Sequence, residues 1–307
     1  MTGAGVPVLF IGGLGRSGST LIDRVLGETP GVCSVGELVF LWERGLLADE
    51  RCGCGEAFSA CPFWTEVGVR SFGGWDKIDA AAMLVRQRGV DRNRYIPLMR
   101  APRIAGGYRR RLQGYVEAVR RVYTSVAAVS GAALVVDSSK HASTAALLAN
   151  VPGISPRIVH LVRDPRGVAW SWSKQVDRLD GRAGSQMARA GSVRIAVRWQ
   201  LYNALLAGTR SRGAVLRYED FVERPEHATR RLLGLGGLTP EVLPQFVGER
   251  TVLLGPGHSV AGNPMRFRTG ELAIRSDEDW RTAMPSSRQA LISALTFPSD
   301  LIYRYPP

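Results

Sequence analysis

The sequence predicts an α/β fold in which helices surround a central parallel sheet. The first observation is a repeated alternation of short apolar runs, typical of buried strands, with helical patterns. The runs lie at residues 6–11, 132–137, 157–162 and 213–217. The second observation is that charged or polar side chains follow several of these runs, where α/β proteins build their sites. With 307 residues, 45% of them hydrophobic, the chain can bury a sizeable core as one large domain or two small ones.

The first apolar run is followed by a loop of glycine and serine at residues 12–19 and then by a helical pattern at residues 20–27. The apolar side chains of that pattern share one helix face: Leu21, Ile22, Val25 and Leu26. In such a unit the backbone N–H groups of the loop point at one spot, and the helix dipole favours negative charge there. We therefore predict an anion-binding site at this loop, with a tight turn that binds no ligand as the alternative.

The spacing of the loop differs from that of a nucleoside triphosphate site. When Gly13, Gly18 and Thr20 are aligned with the Walker A pattern, Ser19 stands where the lysine belongs, and Arg16 carries the positive charge instead. A nucleoside triphosphate site normally needs that lysine together with Mg²⁺. A phosphosulfate carries less charge, and one arginine, two hydroxyl groups and the backbone can hold it.

The heptapeptide Gly-Arg-Ser-Gly-Ser-Thr-Leu at residues 15–21 resembles the 5′-phosphosulfate loop of sulfotransferases that use PAPS (3′-phosphoadenosine 5′-phosphosulfate). The resemblance is to bacterial sulfotransferases related to the tyrosylprotein, or Golgi, type. It implies that residues 1–307 form a single P-loop NTPase-like domain, a three-layer α/β/α arrangement with four or five parallel strands. It also implies PAPS as the donor, PAP as the product and no metal. The loop residues that it assigns to the donor are Arg16, Ser17, Gly18, Ser19, Thr20 and Leu21.

A second anion site is predicted after the apolar run at residues 157–162. Arg163 ends that run, and Ser171 follows eight residues later on a predicted helix. This pair resembles the 3′-phosphate site of the same family, where the arginine provides a bidentate grip and the serine a hydrogen bond. The tyrosylprotein type adds an arginine four residues after the serine. Here that position holds Gln175, beside Lys174, so this one contact departs from the family pattern.

The resemblance implies further nucleotide contacts later in the chain. Tyr218 follows a predicted core strand, as a phosphate-binding tyrosine does in the family. The segment 255–276 resembles the family's C-terminal cofactor flap, and we expect it to be mobile. Its implied ligand residues are Ser259, Gly262, Asn263 and Arg266, with Ser259 nearest the sulfuryl group. The polar, glycine-rich residues 178–192 predict a second mobile loop.

The catalytic candidates lie just beyond predicted strand ends. In the family a Gly-Glu pair at the place of Glu37 supplies the base that removes the acceptor proton, and a lysine at the place of Lys140 stabilises the leaving phosphate together with Arg16. His141 is a second candidate base, because its pKa is near neutral. The alternatives are that Glu37 caps a helix at residues 38–47 and that Lys140 is a surface charge.

A cysteine-rich turn follows, with Cys52, Cys54 and Cys61 leading into Phe63 and Trp64. Zinc usually needs four ligands, and none of the four histidines is near these cysteines in the sequence. We therefore expect no metal site but a compact turn near the substrate entrance, with the two aromatic side chains packed inward. The cysteines are expected to be reduced.

Two further segments are predicted to be helical. Residues 75–130 carry an amphipathic stripe with a basic opposite face, which indicates a core-packed helix. The stripe consists of Tyr108, Leu112, Tyr115, Val119, Val122, Tyr123 and Val126. Residues 193–211 are expected to form a long helix with Val197, Leu201, Leu205 and Leu206 facing inward.

The net charge of +13 favours polyanionic ligands, and charge alone does not separate a nucleotide from a nucleic acid. We expect a nucleotide and no nucleic-acid partner. The sequence shows neither a signal peptide nor a transmembrane segment, and we expect a cytoplasmic protein. A small molecule, a glycan or a lipid is the expected acceptor, through a hydroxyl or amine. The oligomeric state stays open, a homo-oligomer included.

Two other functions are compatible with an anion loop. A P-loop nucleotide kinase would need the lysine that Ser19 replaces, and it would need a metal-binding aspartate at the end of an apolar strand. A nucleotide-binding protein without catalysis would not need Glu37 and Lys140 at strand ends. Binding of PAP without Mg²⁺, compared with Mg²⁺-dependent binding of ATP, would separate these functions.

Overall fold

The computed structural model describes residues 5–100, 106–177, 179, 186–209, 213–239 and 241–305, and within them five parallel strands form the central sheet. The strands are β1 (Val6–Gly12), β2 (Val32–Ser34), β3 (Leu134–Lys140), β4 (Ile154–Val162) and β5 (Gly213–Arg217). Their order in the sheet is β2-β3-β1-β4-β5, so β1 lies in the centre. The predicted parallel core of four or five strands is confirmed.

The register of the sheet brings the strand ends to one edge. Gly12, the last residue of β1, lies opposite Lys140 of β3 on one side and opposite His160 of β4 on the other. Val162 of β4 lies opposite Arg217 of β5. Because parallel strands share one direction, the loops that leave them emerge together at this edge, where open α/β sheets bind ligands.

The helices form layers on both faces of the sheet. They are α1 (Ser19–Gly27), α2 (Pro62–Phe72), α3 (Ala80–Val90), α4 (Ile96–Arg100), α5 (Gly106–Ser130), α6 (Ala142–Leu148), α7 (Pro165–Ser173), α8 (Ser192–Ala207), α9 (Tyr218–Glu223), α10 (Pro225–Leu235), α11 (Trp280–Ala283), α12 (Ser286–Thr296) and α13 (Ser299–Ile302). A second, antiparallel sheet contains β6 (Phe246–Gly248), β7 (Thr251–Leu254) and β8 (Gly270–Ala273).

The alternating side chains of β1 explain the three layers. Val8 and Phe10 are buried in a core shared with the helices between β2 and β3, whereas Leu9 and Ile11 are buried in a core shared with α1, α9 and α10. A strand that is apolar on both faces has to be covered on both. The predicted P-loop NTPase-like α/β/α fold is therefore confirmed.

Several predicted elements have different bounds. The strand predicted at residues 132–137 extends to Lys140, and the helical region at 75–130 is divided into α3, α4 and α5. The helix predicted after Glu37 consists of a 3₁₀-helix, Leu38–Phe40, followed by a π-helix, Leu41–Leu47.

The inward face predicted for α8 is wrong at two positions. Val197 and Leu201 are 55% and 52% exposed, whereas Leu206 is buried as expected. The buried face instead contains Ile195, Ala196, Trp199 and Asn203. The helix carries two apolar stripes, and the indole of Trp199 selects one of them by donating a hydrogen bond to the carbonyl of Arg163, 2.9 Å away.

The two predicted mobile loops stay predictions. Residues 178 and 180–185 of the first loop lie outside the described residues. The described residues on either side of them are linked by a hydrogen bond from Met187 N to Val176 O at 2.8 Å. The second segment, 255–276, includes the short 3₁₀-helix Pro264–Phe267 and β8. No helix in the described part of the chain combines the length and apolar character that a membrane crossing needs.

Candidate active site

The loop between β1 and α1 forms the floor of the candidate site. Gly18, at the helix N-terminus, has φ +91°, and a Cβ atom there would lie 2.4 Å from the ring of Tyr218. Glycine is therefore required at this position both by conformation and by space. In the described residues no side chain caps α1, so the first N–H groups of the helix are available to an anion.

A cleft of about 600 Å³ opens above this loop at the carboxyl edge of the sheet. It brings together most of the catalytic and cofactor-binding residues that were predicted from the sequence. Those that line it are Arg16, Gly18, Ser19, Thr20, Leu21, Glu37, Lys140, His141, Arg163, Ser171, Tyr218, Gly262 and Asn263. Ser17, Ser259 and Arg266 are outside the described lining and are at most 2% exposed.

Arg16 is held in the cleft by an unusual backbone and an aromatic neighbour. Its φ is +72°, and its guanidinium lies 5.9 Å from the ring centre of Trp172. The buried Nη2 atom has no hydrogen-bond partner in the described part of the chain. Burial lowers the pKa of the guanidinium from its ordinary value. A buried cation with a spare donor is well suited to receive an anion.

Glu37 and Lys140 form an ion pair beside the loop. The side chain of each is 12% exposed, so the pair is largely removed from water. The backbone N–H of Glu37 donates to Ala261 O at 3.3 Å, and the hydroxyl of Ser139 accepts a hydrogen bond from Val39 N at 2.9 Å. These contacts fix the segment that carries the carboxylate. A carboxylate so placed can accept a proton, and the ammonium can stabilise developing negative charge.

His141 lies directly after β3 and faces the other side of the cleft. Its ring is edge-on to Phe40 at 6.3 Å and to Tyr202 at 6.5 Å between ring centres. Burial lowers the pKa of His141 from its ordinary value, although the carboxylate of Asp91 opposes this shift. The lowered pKa favours the neutral imidazole, which can accept a proton, so His141 stays a candidate base.

Arg163 occupies the end of β4, as the sequence predicted, and it has partners within the protein. Its Nη1 donates to Arg16 O at 3.1 Å, and its Nη2 donates to Asp277 Oδ2 at 3.1 Å. The guanidinium lies over the ring of Tyr218 at 4.6 Å. Burial disfavours the charge on Asp277, but Arg163 and Lys174 outweigh it and hold the pKa of that carboxyl below its ordinary value.

The structure places Arg266 and Ser259 behind the cleft instead of over a nucleotide. The Arg266 guanidinium donates to Ser259 O at 2.8 Å and to Arg51 O at 2.7 Å, so it holds the flap segment to the body of the protein. Asn263 does reach the cleft, and its N–H lies 3.4 Å from Thr20 Oγ1. Direct cofactor contacts of Arg266 and Ser259 do not follow from this geometry.

The cleft also has an aromatic wall, which was not predicted from the sequence. Phe40, Trp172, Tyr202 and Arg198 line it, and the Arg198 guanidinium lies 5.4 Å from the ring centre of Trp172 and 5.8 Å from that of Tyr202. Trp172 Nε1 donates to Gly15 O at 2.9 Å and so links this wall to the anion loop. No local motif marks these residues, because they come from three separate segments.

Asp137 bears on the choice between a kinase and other functions. It lies in β3 and is fully buried, and its carboxylate accepts hydrogen bonds from Tyr123 Oη and from Ser139 Oγ and N. Burial raises its pKa to about 6. These contacts use the carboxylate within the core, so it does not face the cleft as a metal-binding aspartate of a kinase would.

No protein-family model matches the sequence, and no curated protein matches it either. Among solved structures, the chain is similar to the sulfotransferase domain of the Synechococcus PCC 7002 olefin synthase, with 18% identity and a TM-score of 0.53 over 98% of this chain and 96% of that one. It is also similar to the sulfotransferase domain from the curacin biosynthetic pathway, with 18% identity, a TM-score of 0.50 and full coverage of both chains. The chain therefore has the fold of sulfotransferase domains, and its activity has to follow from the residues of the cleft.

Proposed function

We propose that this chain is a PAPS-dependent sulfotransferase that moves a sulfuryl group to the hydroxyl or amine of an acceptor. The observation that carries the proposal is the buried ion pair of Glu37 and Lys140 beside an anion loop that has Arg16 in place of a Walker lysine. A binding protein without catalysis would have no use for a carboxylate and an ammonium buried together at the site where a sulfuryl group would lie.

Two anion sites in one cleft support PAPS as the donor. The loop with Arg16 and the helix N-terminus fits the phosphosulfate. The Nη2 atom of Arg16, which has no partner in the described part of the chain, can donate to one of its oxygen atoms. Arg163 and Ser171 line the neighbouring part of the cleft and fit the 3′-phosphate. To bind that phosphate, Arg163 has to share or release its contact with Asp277.

The proposed reaction is an in-line displacement at sulfur. Glu37 accepts the proton of the acceptor hydroxyl, whose oxygen forms a new bond to the sulfur of the sulfuryl group. The bond between that sulfur and the bridging oxygen breaks, and its electron pair leaves with the 5′-phosphate of PAP. Lys140 and Arg16 stabilise the negative charge that develops on this leaving group, and the N–H groups at the start of α1 assist them.

The acceptor is proposed to bind against the aromatic wall. The rings of Phe40 and Tyr202 line the cleft and both lie edge-on to His141, so an apolar or aromatic part of an acceptor could pack against them. Such a wall fits a small molecule, the apolar face of a sugar or a lipid chain. His141 would serve as the base if Glu37 does not.

A calorimetric titration tests the donor. We expect PAP to bind without Mg²⁺ and ATP to bind weakly whether or not Mg²⁺ is present. Mg²⁺-dependent binding of ATP without binding of PAP would overturn the proposal in favour of a kinase. A screen of cell extract with labelled PAPS, followed by mass spectrometry, would then identify the acceptor.

A further inference from the structure

Three cysteines and one histidine meet at a point that the sequence does not suggest. Cys52, Cys54 and Cys61 belong to the turn before α2, and His258 is 197 residues beyond Cys61. The three sulfur atoms and one ring nitrogen of the histidine lie within 4.8 Å of one another. The expectation of no metal site depended on the absence of a histidine near the cysteines in the sequence, and the fold supplies one.

Three of the six distances between the ligand atoms are close to those of a tetrahedral zinc site, and the others do not exceed 4.8 Å. Cys54 Sγ and Cys61 Sγ are 3.7 Å apart, and His258 Nδ1 lies 3.4 Å from Cys61 Sγ and 3.9 Å from Cys52 Sγ. Four ligands at ordinary Zn–S and Zn–N bond lengths place two sulfurs about 3.8 Å apart and a sulfur and a nitrogen about 3.5 Å apart. The donor set, three thiols and one imidazole, is one that structural zinc sites use.

Backbone hydrogen bonds fix the turn that carries the cysteines. Cys52 N donates to Glu56 O at 2.8 Å, and Gly55 N donates to Cys52 O at 2.9 Å, so Cys52 and Cys54 belong to one tight turn. Cys61 N donates to Phe58 O at 3.3 Å. The three sulfurs are therefore held by the backbone close to one another.

The histidine is also fixed in place. The ring of Phe63 stacks on the ring of His258 with 4.8 Å between ring centres and 14° between planes, and Trp64 Nε1 donates to His258 O at 2.8 Å. These contacts hold the imidazole with Nδ1 toward the sulfurs. Metal ligands bind best when neighbouring groups orient them, and Phe63 and Trp64 do this for His258.

We propose that Cys52, Cys54, Cys61 and His258 bind one Zn²⁺ ion that fastens the flap segment to the cysteine-rich turn. The site has four protein ligands, so it would be closed and structural. None of the four belongs to the described lining of the cleft, and the zinc takes no part in the proposed transfer.

The place of the site in the fold indicates which segment the zinc would stabilise. After His258, Ser259 O accepts a hydrogen bond from Gly53 N at 3.0 Å, Val260 N donates to Val35 O at 2.9 Å, and Ala261 O accepts from Glu37 N. The ion would therefore anchor a short segment that leads directly to the catalytic carboxylate. Without it, that segment would keep only hydrogen bonds in the described part of the chain, among them those from Arg266 and Trp64.

Metal analysis of the full chain tests the proposal. The protein should be prepared without a polyhistidine tag, in zinc-supplemented medium and with a thiol reductant, and analysed by inductively coupled plasma mass spectrometry. We expect close to one zinc per chain. Cys54→Ser and His258→Asn should lower the zinc content to background. The matched controls Cys33→Ser and His227→Asn change a cysteine and a histidine outside the cluster and should keep the full content.

Cobalt provides a second readout if a variant fails to fold. Wild-type protein depleted of zinc by a chelator should bind Co²⁺ and develop the thiolate-to-cobalt charge-transfer band and the intense visible bands of a tetrahedral site. Absence of both zinc and these bands in folded wild-type protein would overturn the proposal. So would equal loss of metal in the control variants, or a Cys54–Cys61 disulfide found by mass spectrometry in place of the metal.

Discussion

Arg163 donates a hydrogen bond from Nη2 to Oδ2 of Asp277, with the two atoms 3.1 Å apart. The residue proposed to bind the 3′-phosphate is thus partly neutralised by a carboxylate of the same chain. Lys174 contacts the other oxygen of Asp277, also at 3.1 Å. A phosphate that enters this part of the cleft has to compete with Asp277 for both cations.

Removal of the arginine should weaken PAP binding. A charge-assisted hydrogen bond contributes about 1.5–3 kcal/mol, so Arg163→Ala should raise the dissociation constant of PAP roughly ten- to hundredfold. Isothermal titration calorimetry measures this, and Arg157→Ala, which changes an exposed arginine of the same strand, is the control. Unchanged PAP affinity in a folded Arg163→Ala protein would sink the 3′-phosphate assignment.

Removal of the competing carboxylate should have the opposite effect. Asp277→Asn removes the carboxylate from Arg163 and leaves Lys174 with Asp279 as an anionic partner. PAP should therefore bind severalfold more tightly at low salt, and the gain should shrink as salt screens the charges. Titrations at two salt concentrations measure this. Weaker binding of PAP in the variant would show that Asp277 positions Arg163 and does not compete with the phosphate.

Two candidate bases can be separated by their variants. Glu37→Gln should keep PAPS binding and lower turnover about 10²–10⁴-fold, the usual contribution of a positioned general base. His141→Ala should reduce turnover far less. If the two results are reversed, the base is His141. If both variants keep near-full activity, the acceptor ionises unaided and the enzyme mainly positions it.

The aromatic wall should affect the acceptor and not the donor. Tyr202→Ala removes a ring that lines the cleft, so the KM for the acceptor should rise while PAP affinity stays the same. Leu201→Ala, at a neighbouring and 52% exposed position of α8, is the control and should change neither value. A change in PAP affinity without a change in the KM for the acceptor would contradict an acceptor site at the aromatic wall.

Asp23 should make the stability of the protein depend on pH. Its carboxyl is 1% exposed and accepts a hydrogen bond from Ser34 Oγ, and burial raises its pKa to about 7 although the Ser34 hydrogen bond opposes the shift. The folded protein then keeps a proton that the unfolded chain releases near pH 4. This contribution to stability is fully present below about pH 4 and is lost as the pH rises through about 7.

The variant Asp23→Asn isolates this effect. The free energy of unfolding of the variant, minus that of wild type, should rise between pH 4 and pH 8 by at most about 4 kcal/mol, at 1.36 kcal/mol per pKa unit. Urea unfolding at both pH values measures it, and titrating groups that do not interact with Asp23 cancel in the difference. A pH-independent difference would mean that the Asp23 carboxyl titrates alike in the folded and unfolded chains.

The local patterns of the sequence were sufficient to predict the sheet and the glycine-rich loop between β1 and α1. Glycines with positive φ, such as Gly18, and apolar runs depend on neighbours within a few residues, so the sequence reveals them. The roles of Arg266 and His258 were not predictable in this way. Both depend on the flap segment packing on a turn some 200 residues earlier, a relation that no local spacing encodes.

The inward face of α8 was predicted wrongly for a related reason. Val197, Leu201 and Leu205 recur at helical spacing, but so do Ile195, Trp199 and Leu206. Periodicity alone cannot choose between two apolar stripes. The hydrogen bond from Trp199 to the carbonyl of Arg163 favours burial of the stripe that contains Trp199, and this bond exists only in the folded chain.

The ion pair of Glu37 and Lys140 affects the order in which the two substrates of the proposed reaction can bind. While the ammonium contacts the carboxylate, an acceptor hydroxyl has to compete with Lys140 for that carboxylate. A phosphosulfate arriving at the neighbouring loop offers Lys140 a second anionic partner and so frees Glu37 to accept a proton. The donor should therefore bind before the acceptor can react, and an acceptor that arrives first should wait unreacted. Initial-rate patterns with PAP as a product inhibitor would show this compulsory sequence of addition.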